Sequence, residues 1–363
     1  METRTNNRLH KALATFAASL ARVALALSPT LACAEPPYIP ETLSANFEIV
    51  GAGGLPTQVE VDYLTPPGRL YDVFGHKMHM FCAGQGRPTV ILDAGLGGFS
   101  LEWLSVQQKL AGSVRVCSYD RAGYGWSQFG PLPRTTAQIS GELHRLLDVA
   151  RLEPPFVLVG HSFGGYIAQA FARRWPELTA GIVLVDSSHP EQARYLPSAA
   201  RRADARNAPG VRVHKVARPV IPLGYPNEVR NIAYYLMGTR KAARTQREEL
   251  RFMQRSGREV IDAGPVPERL RAVVLSRAFE VGVDSVLSGH SNDEGLERTW
   301  QSLQSNLGHL YGTDKVDARF SGHFLHLDQP WLVVESVERL VEQACPKAHC
   351  ATAVRGEAVT AAR

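Results

Sequence analysis

The chain alternates short, continuous apolar runs with longer segments whose apolar residues recur every three or four positions. Continuous runs of this length are typical of strands buried on both faces, and the wider spacing is typical of amphipathic helices. The runs predict strands over residues 70–74 and 78–82, which form a hairpin, and over 89–93, 114–119, 156–159, 181–185, 270–275 and 316–320. The spaced segments predict helices over residues 101–110, 136–150 (capped at Thr135-Thr136), 164–175, 296–310 and 331–342. Strands and helices that alternate with short connections predict an α/β protein with a parallel sheet.

One long stretch interrupts this alternation. Residues 191–260 contain 15 Lys and Arg against 6 Asp and Glu and no comparable apolar run, so this stretch carries a charge of +9. We interpret it as a helical insertion that divides the core. The predicted organisation is a signal segment, an N-terminal extension, a first core part, a helical lid, a second core part and a tail, over residues 1–34, 35–69, 70–190, 191–264, 265–345 and 346–363.

The composition is that of an ordinary globular protein. Apolar residues make up 44% and charged residues 21% of the 363 positions, which excludes a disordered or fibrous chain. The formal net charge of +5 raises the question of an anionic partner. Because the insertion carries +9, the rest of the chain carries −4, and without a recognisable motif we predict no nucleic-acid partner. The basic insertion either receives anionic substrates or is a solvated helical face.

The N-terminal segment has the pattern of an export signal. A basic start precedes an apolar stretch over residues 12–27 and small residues at 32–34, where an export peptidase would cleave. As a helix, the apolar stretch would be about 24 Å long, which is shorter than the roughly 30 Å hydrocarbon core of a membrane. We therefore predict no stable membrane span and a periplasmic or secreted protein, with a cytoplasmic protein as the alternative.

Four cysteines follow that segment, an even number that an oxidising compartment permits. Cys82 and Cys117 lie in two predicted strands that can be neighbours, and Cys345 and Cys350 are separated by a short proline-containing stretch. Each pair can form a disulfide. For the first pair, two free thiols that fill the core are an equal alternative.

The strongest chemical signal is Gly-His-Ser-Phe-Gly at residues 160–164, which follows a predicted strand and opens a predicted helix. This is the context of a nucleophile elbow, in which a sharp turn exposes the serine. The glycines allow the helix and the strand to approach each other closely. The motif therefore predicts Ser162 as a nucleophile.

A serine hydroxyl needs a base to remove its proton, and the chain order serine, acid, histidine directs the search toward the C-terminus. His323 follows a predicted strand and is the predicted base, whereas we expect His326 to be structural and His161 to orient the elbow. Two carboxylates are candidates for the acid. Asp186 directly follows the apolar run at 181–185 and is preferred, and Asp284, in the loop beyond a later strand, is the alternative.

The oxyanion of a tetrahedral intermediate requires two backbone donors. One is predicted at the amide of Phe163, directly after the nucleophile. The second is predicted at Leu96, in the glycine-rich loop at residues 94–98.

With these motifs, the chain resembles the α/β-hydrolase fold enzymes. The resemblance extends from residue 68 to residue 342 and is strongest at residues 89–98, 119–127, 157–165 and 321–330. It implies an eight-stranded, mostly parallel sheet with flanking helices and a helical lid inserted after the sixth strand. It also implies that residues 120–127, after the fourth strand, shape the edge of the active site and are mostly structural.

Four positions match the family's nucleophile, base and oxyanion donors: Ser162, His323, Phe163 and Leu96. Two departures from the family pattern matter. Ala94-Gly95 stands where His-Gly is usual, and no Gly-x-x-Asp directly follows residues 270–275. The second departure is the reason for choosing Asp186, a position that some enzymes of this fold use.

The predicted function is that of a serine hydrolase acting by acyl transfer, most simply on a carboxyl ester of a small or medium-sized molecule. A serine at the elbow, rather than an aspartate, disfavours an epoxide hydrolase or a haloalkane dehalogenase. The alternatives are an amide or prolyl-peptide hydrolase, a cofactor-free peroxidase and, from a different class, a non-catalytic ligand-binding module. No cofactor and no metal are predicted, and the sequence makes no prediction of the oligomeric state.

Overall fold

The computed structural model describes residues 44–51, 54–195, 221–222, 224–278 and 294–344. An eight-stranded sheet in the order β10-β9-β8-β7-β5-β6-β4-β3 forms its centre. The strands from β5 to β10 pair in parallel, and the hairpin β3–β4 pairs antiparallel at one edge. The strands of this sheet are β3 (Arg69–Val73), β4 (His76–Ala83), β5 (Thr89–Asp93), β6 (Val116–Tyr119), β7 (Phe156–His161), β8 (Thr179–Val185), β9 (Arg271–Arg277) and β10 (Lys315–Ala318). The predicted fold class and hairpin are confirmed.

Ten α-helices are described, and short 3-10 turns at Ser100–Trp103, Pro176–Leu178 and Asn227–Val229 accompany them. The helices are α1 (Leu104–Leu110), α2 (Thr136–Val149), α3 (Phe163–Arg174), α4 (Gln192–Tyr195), α5 (Arg230–Met237), α6 (Arg240–Arg251), α7 (Met253–Asp262), α8 (Glu294–Leu310), α9 (Leu325–Asp328) and α10 (Pro330–Ala344). The predicted helix over 101–110 is thus divided, with its first turn wound as a 3-10 helix.

Helices cover both faces of the sheet, because its central strands point alternate apolar side chains to opposite sides. On one face Val157 and Val159 pack with residues of α1 and α10. On the other face Leu158 packs with residues of α2, α3 and α8. The result is a three-layer core, which explains why the central strands are continuous apolar runs.

The start of α2 differs from the sequence prediction. Thr135 occupies the N-cap, but its side chain accepts no hydrogen bond from the helix. The first amides of α2 instead donate to side chains of α7, from Thr136 N to Ser256 Oγ over 3.3 Å and from Ala137 N to Glu259 Oε2 over 2.7 Å. Side chains from the inserted segment therefore take the place of the predicted threonine cap.

An additional hairpin precedes the main sheet, within the predicted N-terminal extension of residues 35–69, for which no strand is predicted from the sequence. The strands β1 (Ser44–Val50) and β2 (Pro56–Asp62) pair antiparallel. In β1 the alternate side chains of Ala45, Phe47 and Ile49 are buried. This period-two pattern is present in the sequence but was assigned no strand.

One further expectation concerns the end of β10. The predicted strand over 316–320 ends at Ala318, because Phe320 adopts a φ of +63° that a strand does not allow. Its side chain is 84% exposed. The chain then turns back over the carboxyl ends of the parallel strands, where residues 321–323 lie.

The described part of the segment between β8 and β9 contains the helices α4 to α7, joined by turns and irregular stretches. Helix α6 consists mostly of charged and polar residues, and three of its residues are buried: Ala242, Thr245 and Glu249. Residues 196–220 of this segment lie outside the described residues.

Cys82 and Cys117 form a disulfide with a Cα–Cα distance of 4.0 Å, because they occupy paired positions of the neighbouring strands β4 and β6. Of the two readings of this pair, the disulfide is the one observed. Cys345, Cys350, the predicted signal segment and the predicted tail lie outside the described residues. Among the described helices, we find none with the length and apolar character needed to cross a bilayer.

Candidate active site

Ser162 stands at a strained turn between β7 and α3. Its backbone has a φ of 48° and a ψ of −115°, a conformation that non-glycine residues rarely adopt. A Cβ at Gly160 would lie 2.5 Å from the carbonyl oxygen of Gly164, and a Cβ at Gly164 would lie 2.5 Å from that of Asp93. Only glycine fits these two positions, so the turn can present the partly exposed Ser162 at the end of the strand.

The structure brings His323 and Asp186 together. Asp186 directly follows β8 and has a φ of 41°, and His323 lies in the loop between β10 and α9. His323 Nδ1 and Asp186 Oδ2 are 2.6 Å apart. Because the carboxylate can only accept, Nδ1 carries the proton and Nε2 is left as the basic nitrogen. The alternative acid, Asp284, lies outside the described residues.

Three further donors hold the Asp186 carboxylate. Oδ2 accepts from Arg277 Nη1 over 2.6 Å, and Oδ1 accepts from Trp300 Nε1 over 2.9 Å and from the Arg277 amide over 3.2 Å. The Arg277 guanidinium also binds Glu297. Burial would raise the pKa of Asp186, but Arg277 and then His323 outweigh that effect and hold the pKa well below its usual range. Sequence reasoning missed Arg277 and Trp300, because neither lies in a recognised motif.

The surroundings of His323 favour its neutral form. Burial lowers the pKa of its imidazole, and Asp186 opposes this shift. His161, with its ring centroid 4.8 Å away, and Arg277 Nη1, 3.3 Å from Nδ1, lower the pKa further. A neutral imidazole with a free Nε2 can accept a proton at neutral pH.

The glycine-rich loop after β5 lies directly against the elbow. A Cβ at Gly95 would lie 2.8 Å from His161 Nδ1 and 3.4 Å from Ser162 Cβ, so the loop backbone lies close beside the elbow. Leu96 is the next residue of this loop, and Phe163 is the first residue of α3. The two predicted oxyanion residues therefore directly follow the two residues that approach each other here: Leu96 follows Gly95, and Phe163 follows Ser162.

Arg121, in the turn after β6, binds the backbone of that loop. Its Nη2 donates to the carbonyl oxygen of Gly95 over 2.8 Å, and its Nη1 donates to the carbonyl oxygen of Ala94. Nη1 also donates to Asp93 Oδ1 over 2.7 Å, and Nε donates to Glu249 Oε1 over 3.0 Å. The segment that the family resemblance marked as mostly structural therefore holds the backbone of the glycine-rich loop.

Glu102 links three parts of the site from the opposite side. Its Oε1 accepts from the Gly95 amide over 3.1 Å and lies 3.5 Å from His161 Nδ1 and 3.4 Å from His326 Nε2. His161 Nε2 in turn donates to the carbonyl oxygen of His323 over 2.9 Å. Burial would raise the pKa of Glu102, but the two facing imidazoles hold it well below its usual range. These contacts support the orienting and structural roles predicted for His161 and His326.

Glu102, His161 and His326 are also the one group of three metal-ligating side chains found among the described residues, with ligand atoms within 4.8 Å of one another. The two imidazole rings lie 4.4 Å apart and are tilted at an interplanar angle of 49°. The carboxylate also accepts from the Gly95 amide. We describe the group as a buried polar cluster.

The sheet, the elbow and the histidine–carboxylate pair at the carboxyl ends of the strands define a hydrolase of the α/β class. The model of the alpha/beta hydrolase family matches residues 90–337, more than half of the 363-residue chain. The chain belongs to the alpha/beta hydrolase family.

Individual relatives agree with this membership. YqjL of Bacillus subtilis is 24% identical over 269 residues, which cover 73% of this chain and 88% of that protein. RutD of Klebsiella pneumoniae, named as a candidate carbamate hydrolase, is 38% identical over 103 residues, which cover 28% and 38% of the two chains. The chain spans less than half the length of several curated relatives that it matches, RutD among them.

A solved structure extends the likeness to three dimensions. A thermophilic esterase from Thermogutta terrifontis superimposes with a TM-score of 0.53 at 21% identity, over 77% of this chain and 99% of the esterase. At that level of identity, the likeness establishes a shared fold.

Proposed function

We propose that the protein is a serine hydrolase acting by acyl transfer, with Ser162 as nucleophile, His323 as general base and Asp186 as the acid. The observation that carries this proposal is the 2.6 Å hydrogen bond between His323 and Asp186 beside the strained elbow. A nucleophile, a base and a group that orients the base are the constellation that this chemistry requires.

In the proposed mechanism, His323 Nε2 removes the proton of the Ser162 hydroxyl as the serine attacks the substrate carbonyl. Asp186 keeps the proton on Nδ1 and stabilises the imidazolium that forms. The same imidazolium then protonates the leaving group, which leaves an acyl-serine. Water activated by His323 releases the acid and restores the enzyme.

The proposed oxyanion donors are the amides of Leu96 and Phe163. The closeness of Gly95 to Ser162 supports this assignment, because it places the loop after β5 beside the elbow. Phe163 begins α3, and the first amides of a helix lack acceptors within the helix. Donors held in this way stabilise negative charge as it develops.

A carboxyl ester is the proposed substrate bond, and a small or medium-sized molecule is the proposed partner. The serine at the elbow disfavours epoxide and haloalkane chemistry, which the same fold supports with an aspartate. An amide or a carbamate is the competing bond. The likeness to RutD over 103 residues favours the carbamate among these competitors. We also propose that the helices between β8 and β9 act as a lid over the substrate.

Export is the proposed localisation. The Cys82–Cys117 disulfide supports it, because disulfides persist mainly in oxidising compartments.

Labelling with a fluorophosphonate probe tests the proposed nucleophile. We expect the wild type to be labelled, Ser162→Ala to lose labelling and His323→Ala to label far more slowly. Ser188→Ala is a matched control, since its amide donates to the Ser162 carbonyl oxygen over 2.9 Å and its side chain has no assigned role. An unlabelled wild type, or a labelled Ser162→Ala variant, would overturn the proposal. Comparing kcat/KM for an ester and an amide of the same acyl group, each divided by its uncatalysed rate of hydrolysis, tests the preferred bond.

A further inference from the structure

Helix α6 places one buried carboxylate beneath the oxyanion loop. The helix is largely charged and solvent-facing, yet Glu249 is fully buried. Burial of a carboxylate is costly unless it is paired and hydrogen-bonded. The contacts of Glu249 therefore indicate what this position does.

Glu249 and Arg121 form a bidentate ion pair. Arg121 Nε donates to Oε1 over 3.0 Å and Nη2 donates to Oε2 over 3.1 Å, while the Tyr124 hydroxyl donates to Oε2 over 2.8 Å. A bidentate pair fixes the plane and the rotation of the guanidinium as well as its charge. Both members of the ion pair are almost completely inaccessible to solvent.

The guanidinium fixed by Glu249 is the one that binds the oxyanion loop. Its two Nη atoms donate to the carbonyl oxygens of Ala94 and Gly95. Gly95 lies close beside Ser162. The amide of Leu96 belongs to the same planar peptide unit as the Gly95 carbonyl, so the direction of that carbonyl sets the direction of the Leu96 amide.

Helix α6 also touches the loop directly. A Cβ at Gly97 would lie 2.8 Å from Gln246 Nε2, so the inserted helix and the loop are in contact one turn from Glu249. The inserted segment therefore reaches the loop both through Gln246 and through Arg121.

We propose that Glu249 is a positioning residue for the oxyanion hole, which acts through Arg121 on the peptide unit between Gly95 and Leu96. This inference rests on the proposed function. It gives α6 a part in positioning the loop, in addition to the contacts that Asp93 and Glu102 make.

The test compares Glu249→Gln with Glu248→Gln, a matched control on the same helix whose side chain is 20% exposed and only pairs with Arg251 at 3.9 Å. For hydrolysis of p-nitrophenyl acetate, we expect Glu249→Gln to lower kcat by about 10- to 100-fold, as misplacement of a reacting group by about an ångström does. KM should change less than about threefold, because the loop acts on the transition state. Glu248→Gln should retain both constants.

Tyr124→Phe keeps the shape of the ring and removes the hydroxyl, which donates to Glu249 and also interacts with the Gly97 backbone. It provides a milder variant should Glu249→Gln not fold, and we expect a smaller loss of kcat at unchanged KM. A double-mutant cycle with Arg121→Gln measures whether the losses of kcat at the two positions are coupled. A merely structural role of Glu249 would not produce this coupling. If Glu249 acts through Arg121, the double variant loses no more kcat than Arg121→Gln alone.

The outcomes separate the two proposals. A wild type that is not labelled at Ser162 by the fluorophosphonate probe overturns the proposed function. A labelled wild type whose Glu249→Gln and Tyr124→Phe variants keep kcat within about twofold overturns the positioning role alone. Additive losses in the cycle with Arg121 also overturn it, since they would mean that the two residues act independently.

Discussion

Replacing Asp186 with asparagine should reduce kcat by at least about a thousandfold while the fold is retained. The geometry explains why an amide cannot stand in for the carboxylate. Oδ2 faces donors on His323 and Arg277, and Oδ1 faces donors on Trp300 and the Arg277 backbone. In either orientation, the amide NH2 meets two donors. A hydrogen bond from that NH2 group to His323 forms only if the imidazole moves its proton to Nε2, which removes the base.

The magnitude follows from the charge that is lost. The imidazolium that forms during the reaction would lose a carboxylate partner, worth about 4 kcal/mol for charges 4 Å apart at an effective dielectric constant of 20. That energy corresponds to about three powers of ten in rate. Arg277 Nη1, 3.3 Å from His323 Nδ1, would also lose its partner and repel the imidazolium. The unfavourable tautomer adds to this loss, so a thousandfold is a lower bound.

The assay measures kcat and KM with p-nitrophenyl acetate, together with the rate of fluorophosphonate labelling. Asp284→Asn is the matched control, because Asp284 is the competing candidate for the acid. Circular dichroism and thermal melting show whether each variant is folded. A folded Asp186→Asn variant that keeps kcat within tenfold, beside an Asp284→Asn variant that loses a thousandfold, would refute the reasoning and transfer the role to Asp284.

Two further predictions concern the titration of His323 and the disulfide. On the acid side of its pH profile, kcat/KM should fall to half its maximum at a pH below the ordinary histidine pKa of about 6.5, because the pKa of His323 is lowered. Arg277→Gln should move this acid limb of the profile to higher pH, and Arg277→Lys should leave it nearly in place. A pH series on the three proteins checks this, and an unmoved limb in Arg277→Gln contradicts it. The double substitution Cys82→Ala/Cys117→Ala should lower the free energy of unfolding by about 4 kcal/mol, because the disulfide closes a loop of 35 residues. Urea unfolding measures the loss, and a change below about 1 kcal/mol would contradict the loop-closure argument.

The parts of the site that follow from local sequence could be predicted. Ser162 lies in a five-residue motif between a strand and a helix, and strand ends on a parallel sheet lie at one edge. Asp186 and His323 were selected by that rule, and the structure brings them within 2.6 Å of each other. Their catalytic roles remain predictions.

The parts that depend on distant pairs could not be predicted. Arg121 and Glu249 are 128 positions apart, and a single buried ion pair leaves no periodicity in the sequence. Arg277 has the same character, since its partner Asp186 is 91 positions away. The hairpin β1–β2 is a different case, because its alternation is visible in residues 44–50 but was not assigned to a strand.

The amides at the start of α2 bind side chains of α7, and this has a consequence for how the family can diversify. Exchange of the inserted segment for that of a relative would remove Ser256 and Glu259 and leave two helix amides without these acceptors. Loss of a helix cap costs about 0.5–2 kcal/mol. The insertion is therefore not an interchangeable module. A chimaera should keep residues 249–262, which include Glu249, with the host core and end the foreign sequence before them.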